Sequence, residues 1–140
     1  MKQISENIWE FDPQVYPQLL WIAVNPTDEE CKLFYDATED INSEEDLIIN
    51  IKGYGAIVYD VVNKESGKIG SIIIFRSVDY LDIKTITHES MHIVFNLCAR
   101  CRITYTNYDH EPLAYYAGWV ADCCDKVKKE IENGNRAMQS

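Results

Sequence analysis

The segment His88-Glu89-Ser90-Met91-His92 constrains the fold more than any other stretch. Its H-E-x-x-H pattern can bind a metal ion only if the segment is helical. A spacing of four residues puts the two imidazoles about one helical turn apart on one face, where both can reach a single zinc ion. Glu89 directly follows the first histidine and lies close enough to take a proton from a metal-bound water. The pattern predicts zinc-assisted hydrolysis, first of all of a peptide bond, and leaves the substrate open.

The residues around this segment predict a helix from about 83 to 100 that follows a β-hairpin. The helix carries a wide apolar stripe, made of Ile83, Ile86, Met91, Ile93, Val94, Leu97 and Cys98. Two strand-like runs, 56–62 and 69–75, flank the polar, glycine-bearing stretch 63–68. This is the clearest hairpin pattern in the chain.

The N-terminal part is expected to be β-rich. Residues 7–24 are strongly apolar but contain Pro13 and Pro17, which allow short or edge strands and not one central strand. Thr27 and the acidic residues after it predict the start of a helix that ends near Thr38.

The C-terminal part is expected to be helical. A last helix is predicted from about 112 to 132, with Asn133-Gly134-Asn135 as its stop and a frayed tail after about 134. We therefore expect one α+β domain over 1–140, with its metal-site core at about 55–125. Its short, mainly antiparallel sheet and hairpin pack on the H-E-x-x-H helix and a following helix that carries a glutamate.

The composition predicts a folded, soluble protein. Of its 140 residues 46% are hydrophobic, and no window approaches the roughly 18 consecutive apolar residues that span a membrane. The N-terminus lacks a basic cluster followed by an apolar run, so we expect a cytoplasmic location. The net charge of −10 argues against nucleic-acid and anionic-membrane partners. The acidic runs 28–30, 39–40 and 44–46 are expected to form a solvated face.

Five cysteines offer a second possible chemistry. Cys98 and Cys101 have the C-x-x-C spacing, and Cys123 and Cys124 could complete a second zinc site or a redox centre. The odd count argues against a disulfide framework, and we favour small buried thiols that pack between helices. The stretch 50–55 contains two glycines but lacks the strand-to-helix context of a phosphate loop.

Two histidines do not complete a catalytic zinc site, which commonly has three protein ligands and a water. Glu111 follows His92 at a distance that allows a loop and the start of a further helix, and a carboxylate would offset the charge of the ion. His110 is a serious alternative, and Asp122 is a weaker one or an acceptor for a ligand histidine.

This combination resembles the gluzincins, zinc metallopeptidases whose third ligand is a glutamate, and in its compact layout the minigluzincins. The stretches 87–95 and 111–119 are also similar to small metallopeptidase-type proteins encoded by bacterial phages and mobile elements. The resemblance covers roughly residues 55–125. It implies one zinc ion on His88, His92 and Glu111, with Glu89 as general base and a peptide or protein as substrate. It also implies that the strand around 72–75 pairs with an extended substrate.

The residue that stabilises the transition state is less well defined. Tyr115 lies one turn beyond Glu111 and could donate its phenolic hydroxyl to an oxyanion, while Tyr105, Tyr108 and Tyr116 are alternatives. The rival hypothesis for the whole chain is a non-catalytic, metal-containing module that binds another protein of a mobile element. Glu89 favours the enzyme, because a purely structural zinc site does not need it. A closed site with both His110 and Glu111 on the metal would favour the module.

Overall fold

The computed structural model describes residues 1–139, which form a mixed six-stranded sheet and three α-helices. The strands are β1 (Lys2–Ser5), β2 (Ile8–Phe11), β3 (Leu19–Val24), β4 (Phe34–Asp36), β5 (Ala56–Asn63) and β6 (Ile69–Phe75). The helices are α1 (Asp28–Cys31), α2 (Ile83–Cys101) and α3 (Glu111–Gln139), and a 3-10 turn spans Val78–Tyr80. The expected α+β class is confirmed. Within residues 1–139 no helix is long and apolar enough to cross a membrane.

The sheet has the strand order β1-β2-β3-β6-β5-β4. All neighbouring strands are antiparallel except β3 and β6, which run parallel with Leu19 opposite Gly70 and Val24 opposite Phe75. Gly70 permits this close pairing, because a Cβ at that position would overlap the backbone carbonyl of Leu19. The sheet is therefore mainly antiparallel, as expected, and has one parallel pair at its centre.

Side chains alternate between the two faces of the central strands, and both faces are covered. On one face, residues such as Leu20, Ile22 and Ile73 join α2 and α3 in the larger core. On the other face, Trp21 and Ile72 belong to a second core. It is covered by Cys31 of α1, Phe34 of β4 and Leu47, which follows β4. Burial on both faces explains why all six residues of β3 are inaccessible.

The predicted hairpin and H-E-x-x-H helix are present. β5 and β6 pair from Ala56–Phe75 to Val62–Ile69, and α2 begins at Ile83, where Asp82 caps it by accepting a hydrogen bond from the Thr85 amide at 2.8 Å. The buried face of α2 differs from the predicted stripe, because it includes Glu89 and Ser90. Ile83 and Met91, which the stripe included, are 87% and 41% exposed.

As predicted, residues 7–24 do not form one central strand, because Pro13 and Pro17 separate the short strands β2 and β3, of which β3 is an inner strand of the sheet. The other N-terminal prediction is wrong. The helix capped by Thr27 ends at Cys31 and not near Thr38, because the chain turns into β4. Phe34 of β4 is fully buried and packs edge-on against Trp21 with ring centroids 5.0 Å apart.

The predicted end of the last helix is also wrong. α3 starts at Glu111 and continues through Asn133 and Gly134 to Gln139. A glycine within a helix costs only about 1 kcal/mol relative to alanine, which does not stop this helix. The expected fraying beyond about 134 is not seen up to Gln139, and Ser140 lies outside the described residues.

Candidate functional site

The two motif histidines meet on the exposed side of α2. Their Nε2 atoms are 3.1 Å apart, and the rings are arranged edge to face with centroids 4.9 Å apart. The His88 side chain is 68% exposed, so a solute can reach the pair directly. The helix alone produces this approach, since residues four positions apart lie on one face.

Glu89 lies beneath the histidine pair and is buried. Its side chain is 8% exposed, and its Oε1 lies 4.0 Å from His88 Nε2. Among residues 1–139, no hydrogen bond reaches its carboxylate. Burial raises the pKa of Glu89, while the neighbouring imidazoles of His92 and His88 act to lower it. The Glu89 carboxylate lines a cavity that solvent can enter, and its position beside two imidazoles points to a functional role.

These three side chains line one cavity of about 410 Å³ between α2 and β5. The opposite wall comes from Ala56, Ile57, Val58 and Asp60 of β5, with Thr38 and Tyr54 at the sides and Asn96 one turn beyond His92. Asp60 is held in place, because its Oδ1 accepts hydrogen bonds from Ser71 Oγ at 2.8 Å and Asn96 Nδ2 at 3.3 Å and pairs with Arg100 Nη2 at 3.0 Å. These contacts fix the wall of the cavity that β5 forms.

The strand that faces the histidines has an open edge. β4 pairs with β5 only at Val61–Asn63, so in the described chain no strand lies along the outer edge of residues 56–59. β6, by contrast, has β3 on one side and β5 on the other. The implied substrate strand around 72–75 is therefore not free to pair with a peptide, and the free edge next to the site belongs to β5.

Glu111 does not lie beside the histidine pair. It is the exposed first residue of α3 and does not line the cavity. Burial raises the pKa of the Cys124 thiol and the charge of Glu89 adds to this, so the turn of α3 around Cys124 lies near the motif. The distance from Glu111 to Cys124 along α3 is about 20 Å, at 1.5 Å per residue.

The other candidate ligands are also outside the cavity. His110 Nδ1 lies 2.9 Å from the carbonyl oxygen of Thr106, and the ring lines a separate, apolar cavity of about 460 Å³ between α2 and α3. Asp122 is exposed and pairs with Lys126 Nζ at 3.1 Å. Within residues 1–139, no three His, Cys, Asp or Glu side chains are arranged to hold a metal ion.

The tyrosine that enters the cavity is Tyr54, which the sequence analysis did not single out. Tyr115 is 76% exposed on α3 and does not line the cavity, and neither do Tyr105, Tyr108 and Tyr116. The only signal for Tyr54 in the sequence is its position between two glycines in the stretch 50–55, together with the hairpin directly after it.

The donor set fits a zinc ion in part. Zn–N bonds of about 2.0–2.1 Å at a tetrahedral angle separate two ligand nitrogens by about 3.3 Å, close to the 3.1 Å between His88 and His92. The Glu89 carboxylate, 4.0 Å from His88 Nε2, is placed where a general base could take a proton from a metal-bound water. A third protein ligand is not next to these residues in the described chain.

The cysteines lie in helices and belong to the larger core, except for Cys31 in the second core. Cys98, Cys123 and Cys124 are buried, Cys101 is half-buried, and all are free thiols. Burial raises the pKa of Cys123 to about 12. These thiols pack as small apolar groups, as expected from the sequence.

Comparisons of this chain with protein-family models, curated proteins and solved structures gave no match.

Proposed function

We propose that this protein is a small zinc-dependent hydrolase of the metallopeptidase type, with a minimal gluzincin-like site. The observation that carries the proposal is the position of two imidazole Nε2 atoms, 3.1 Å apart, beside a buried glutamate in a cavity open to solvent. Within residues 1–139 the carboxylate of that glutamate accepts no hydrogen bond. A packing role does not explain the burial of the glutamate beside the two imidazoles.

His88 and His92 would hold the zinc, which supplies polarisation of the attacking water and of the scissile carbonyl. Glu89 accepts a proton from that water while the water oxygen bonds to the carbonyl carbon. The C–N bond then breaks, and Glu89 passes the proton to the leaving amine. Burial favours this role, since it raises the pKa of Glu89 and so makes the carboxylate a better proton acceptor.

An extended peptide fits along the open edge of β5. On this edge the backbone groups of alternate residues, Ala56 and Val58, point away from β6 and could pair with the peptide as an added strand, which would carry its peptide bonds past the histidine pair across the cavity. This placement supports a peptide or protein substrate. The strand that would pair with the substrate is β5 and not the interior strand β6.

Glu111 remains the proposed third ligand, and reaching the ion requires a change in the segment before α3. Residues 102–110 are exposed except for the half-buried Ile103, and they border the apolar cavity of about 460 Å³. Met91 and Phe95, 41% and 48% exposed, lie on the α2 side of that cavity. Because Glu111 begins α3, bringing it to His92 would also require the first turns of α3 to move, together with the buried Leu113 and Tyr116.

The proposal is tested by metal content and hydrolysis measured on the same preparations. Elemental analysis of untagged wild type is expected to give about one zinc per chain, and His92→Ala is expected to lose it while remaining folded. Glu89→Gln is expected to retain zinc and fold but to cleave a pool of internally quenched peptides at least about 100-fold more slowly. Wild-type zinc content is the control for every variant.

Three results would contradict the proposal in whole or in part. No zinc in any preparation, even after zinc is added back, would make the motif a coincidence. Zinc in wild type without cleavage of any peptide would favour the non-catalytic binding module. Cleavage by Glu89→Gln at the wild-type rate would show that another group is the general base.

A further inference from the structure

Tyr54 is presented to the histidine cavity by a tight turn. The Tyr54 amide donates a hydrogen bond to the Ile51 carbonyl at 2.9 Å, and Gly53 has a φ of +87°. A positive φ at the third position of a four-residue turn is typical of type II, which favours glycine there. Residues 51–54 therefore form a defined turn that ends at Tyr54.

The chain after Tyr54 is fixed to the sheet. The Gly55 carbonyl accepts a hydrogen bond from the Arg76 amide at 2.9 Å, and the Tyr80 ring packs so closely over Gly55 that a Cβ there would overlap it. β5 begins at the next residue. The backbone of Tyr54 is thus held between a turn and an anchored strand end, beside the cavity.

The Tyr54 hydroxyl has no partner among the described residues, although the side chain lines the same cavity as His88, Glu89 and His92. Its side chain is 62% exposed and belongs to neither core. The hydroxyl of Tyr59, on β5, is by contrast already engaged, because it accepts a hydrogen bond from the Asn50 amide at 3.2 Å. Packing therefore explains Tyr59 but not Tyr54.

We infer that Tyr54 is a further catalytic residue, whose phenolic O–H donates a hydrogen bond to the oxyanion formed during hydrolysis. When the water oxygen bonds to the carbonyl carbon, the π electrons of the C=O bond move onto the carbonyl oxygen. The phenol keeps its proton and stabilises this negative charge until the C–N bond breaks and the carbonyl re-forms. This inference rests on the proposed function, and it assigns the role that the sequence analysis gave to Tyr115.

The test compares Tyr54→Phe with Tyr115→Phe, since both substitutions remove one hydroxyl from an exposed tyrosine. With the zinc-loaded protein and its best-cleaved quenched peptide, Tyr54→Phe is expected to lower kcat about 100-fold with KM nearly unchanged. Tyr115→Phe is expected to match wild type. A phosphinic analogue of that peptide, which mimics the tetrahedral carbon, is expected to bind Tyr54→Phe at least about 10-fold more weakly in calorimetry. Urea midpoints check that both variants are folded.

The outcomes separate the two proposals. Hydrolysis by wild type and Tyr54→Phe at equal kcat, or a change in KM alone, would overturn the role of Tyr54 and leave the proposed function intact. A loss in Tyr115→Phe with none in Tyr54→Phe would return the role to Tyr115. A zinc-loaded wild type that cleaves no peptide would overturn the proposed function, and the role of Tyr54 with it.

Discussion

Glu30 joins the first β-hairpin to α1, and replacing it with glutamine should destabilise the protein in a pH-dependent way. Its Oε1 accepts hydrogen bonds from Asn7 Nδ2 at 2.8 Å and from the Thr27 amide at 3.0 Å. Its Oε2 accepts from the Asn7 amide at 3.0 Å and from the Ser5 hydroxyl. Burial acts to raise the pKa of Glu30, but these hydrogen bonds outweigh it and lower the pKa from 4.5 to about 2.

The lowered pKa gives the size of the effect. A shift from 4.5 to about 2 corresponds to about 3 kcal/mol of stability in favour of the ionised form. Partial solvent exposure screens these contacts, so we expect Glu30→Gln to lower the free energy of unfolding by about 2 kcal/mol at pH 7. Since the folded-state pKa is the lower one, this stability is present above pH 4.5 and is lost as the pH falls through about 2.

Urea unfolding followed by tryptophan fluorescence measures the difference at pH 7 and again near pH 3. The matched control is Glu29→Gln on the same helix, where the exposed carboxylate pairs with Lys32 Nζ at 3.1 Å and a change of a few tenths of a kcal/mol is expected. A Glu30→Gln penalty that does not shrink at low pH would show that the lost interaction is not the charge-dependent one. No penalty at pH 7 would refute the reasoning altogether.

Two further expectations concern the metal and the thiols. Glu111→Ala should lower the zinc content of the protein while His110→Ala retains it, as measured by elemental analysis; the reverse pattern would make His110 the third ligand. For the thiols, burial raises the pKa of Cys31 to about 11 and that of Cys123 to about 12. At pH 8 Ellman's reagent should therefore react rapidly only with the half-buried Cys101 in native protein, and with every thiol in urea. Rapid reaction of the native Cys123 and Cys124 would instead support a cysteine-based centre.

Local patterns in the sequence predict local parts of this structure well. The hairpin of β5 and β6 follows from two strand-like runs around a polar, glycine-bearing turn, and the Thr27 cap follows from its neighbours. The meeting of His88 and His92 depends only on a spacing of four on a helix. In each case the residues that interact are close together in the chain.

Features that depend on distant residues could not be predicted in this way. Phe34 enters β4 because Trp21 lies across the second core, and no local pattern shows that. Burial of Glu89 depends on how α2 packs on the sheet, and the hydrophobic stripe, most of which does face the core, does not include this residue. Tyr54 reaches the site through the turn 51–54, far from the motif in the chain. The position of Glu111 depends on the path of residues 102–110, which spacing does not determine.

The parallel pair β3–β6 has a consequence for how the chain folds. β3 comes from the N-terminal region and β6 lies just before the motif helix, so the whole segment 25–69 must close into a loop before the two strands can pair. Such non-local pairing is slow compared with the formation of helices and hairpins. Residues 55–125 alone would leave β6 with an unpaired, apolar edge of the kind that recruits other chains. By pairing β3 with β6, the first 24 residues therefore cover this edge and disfavour aggregation of the hairpin that forms one wall of the site.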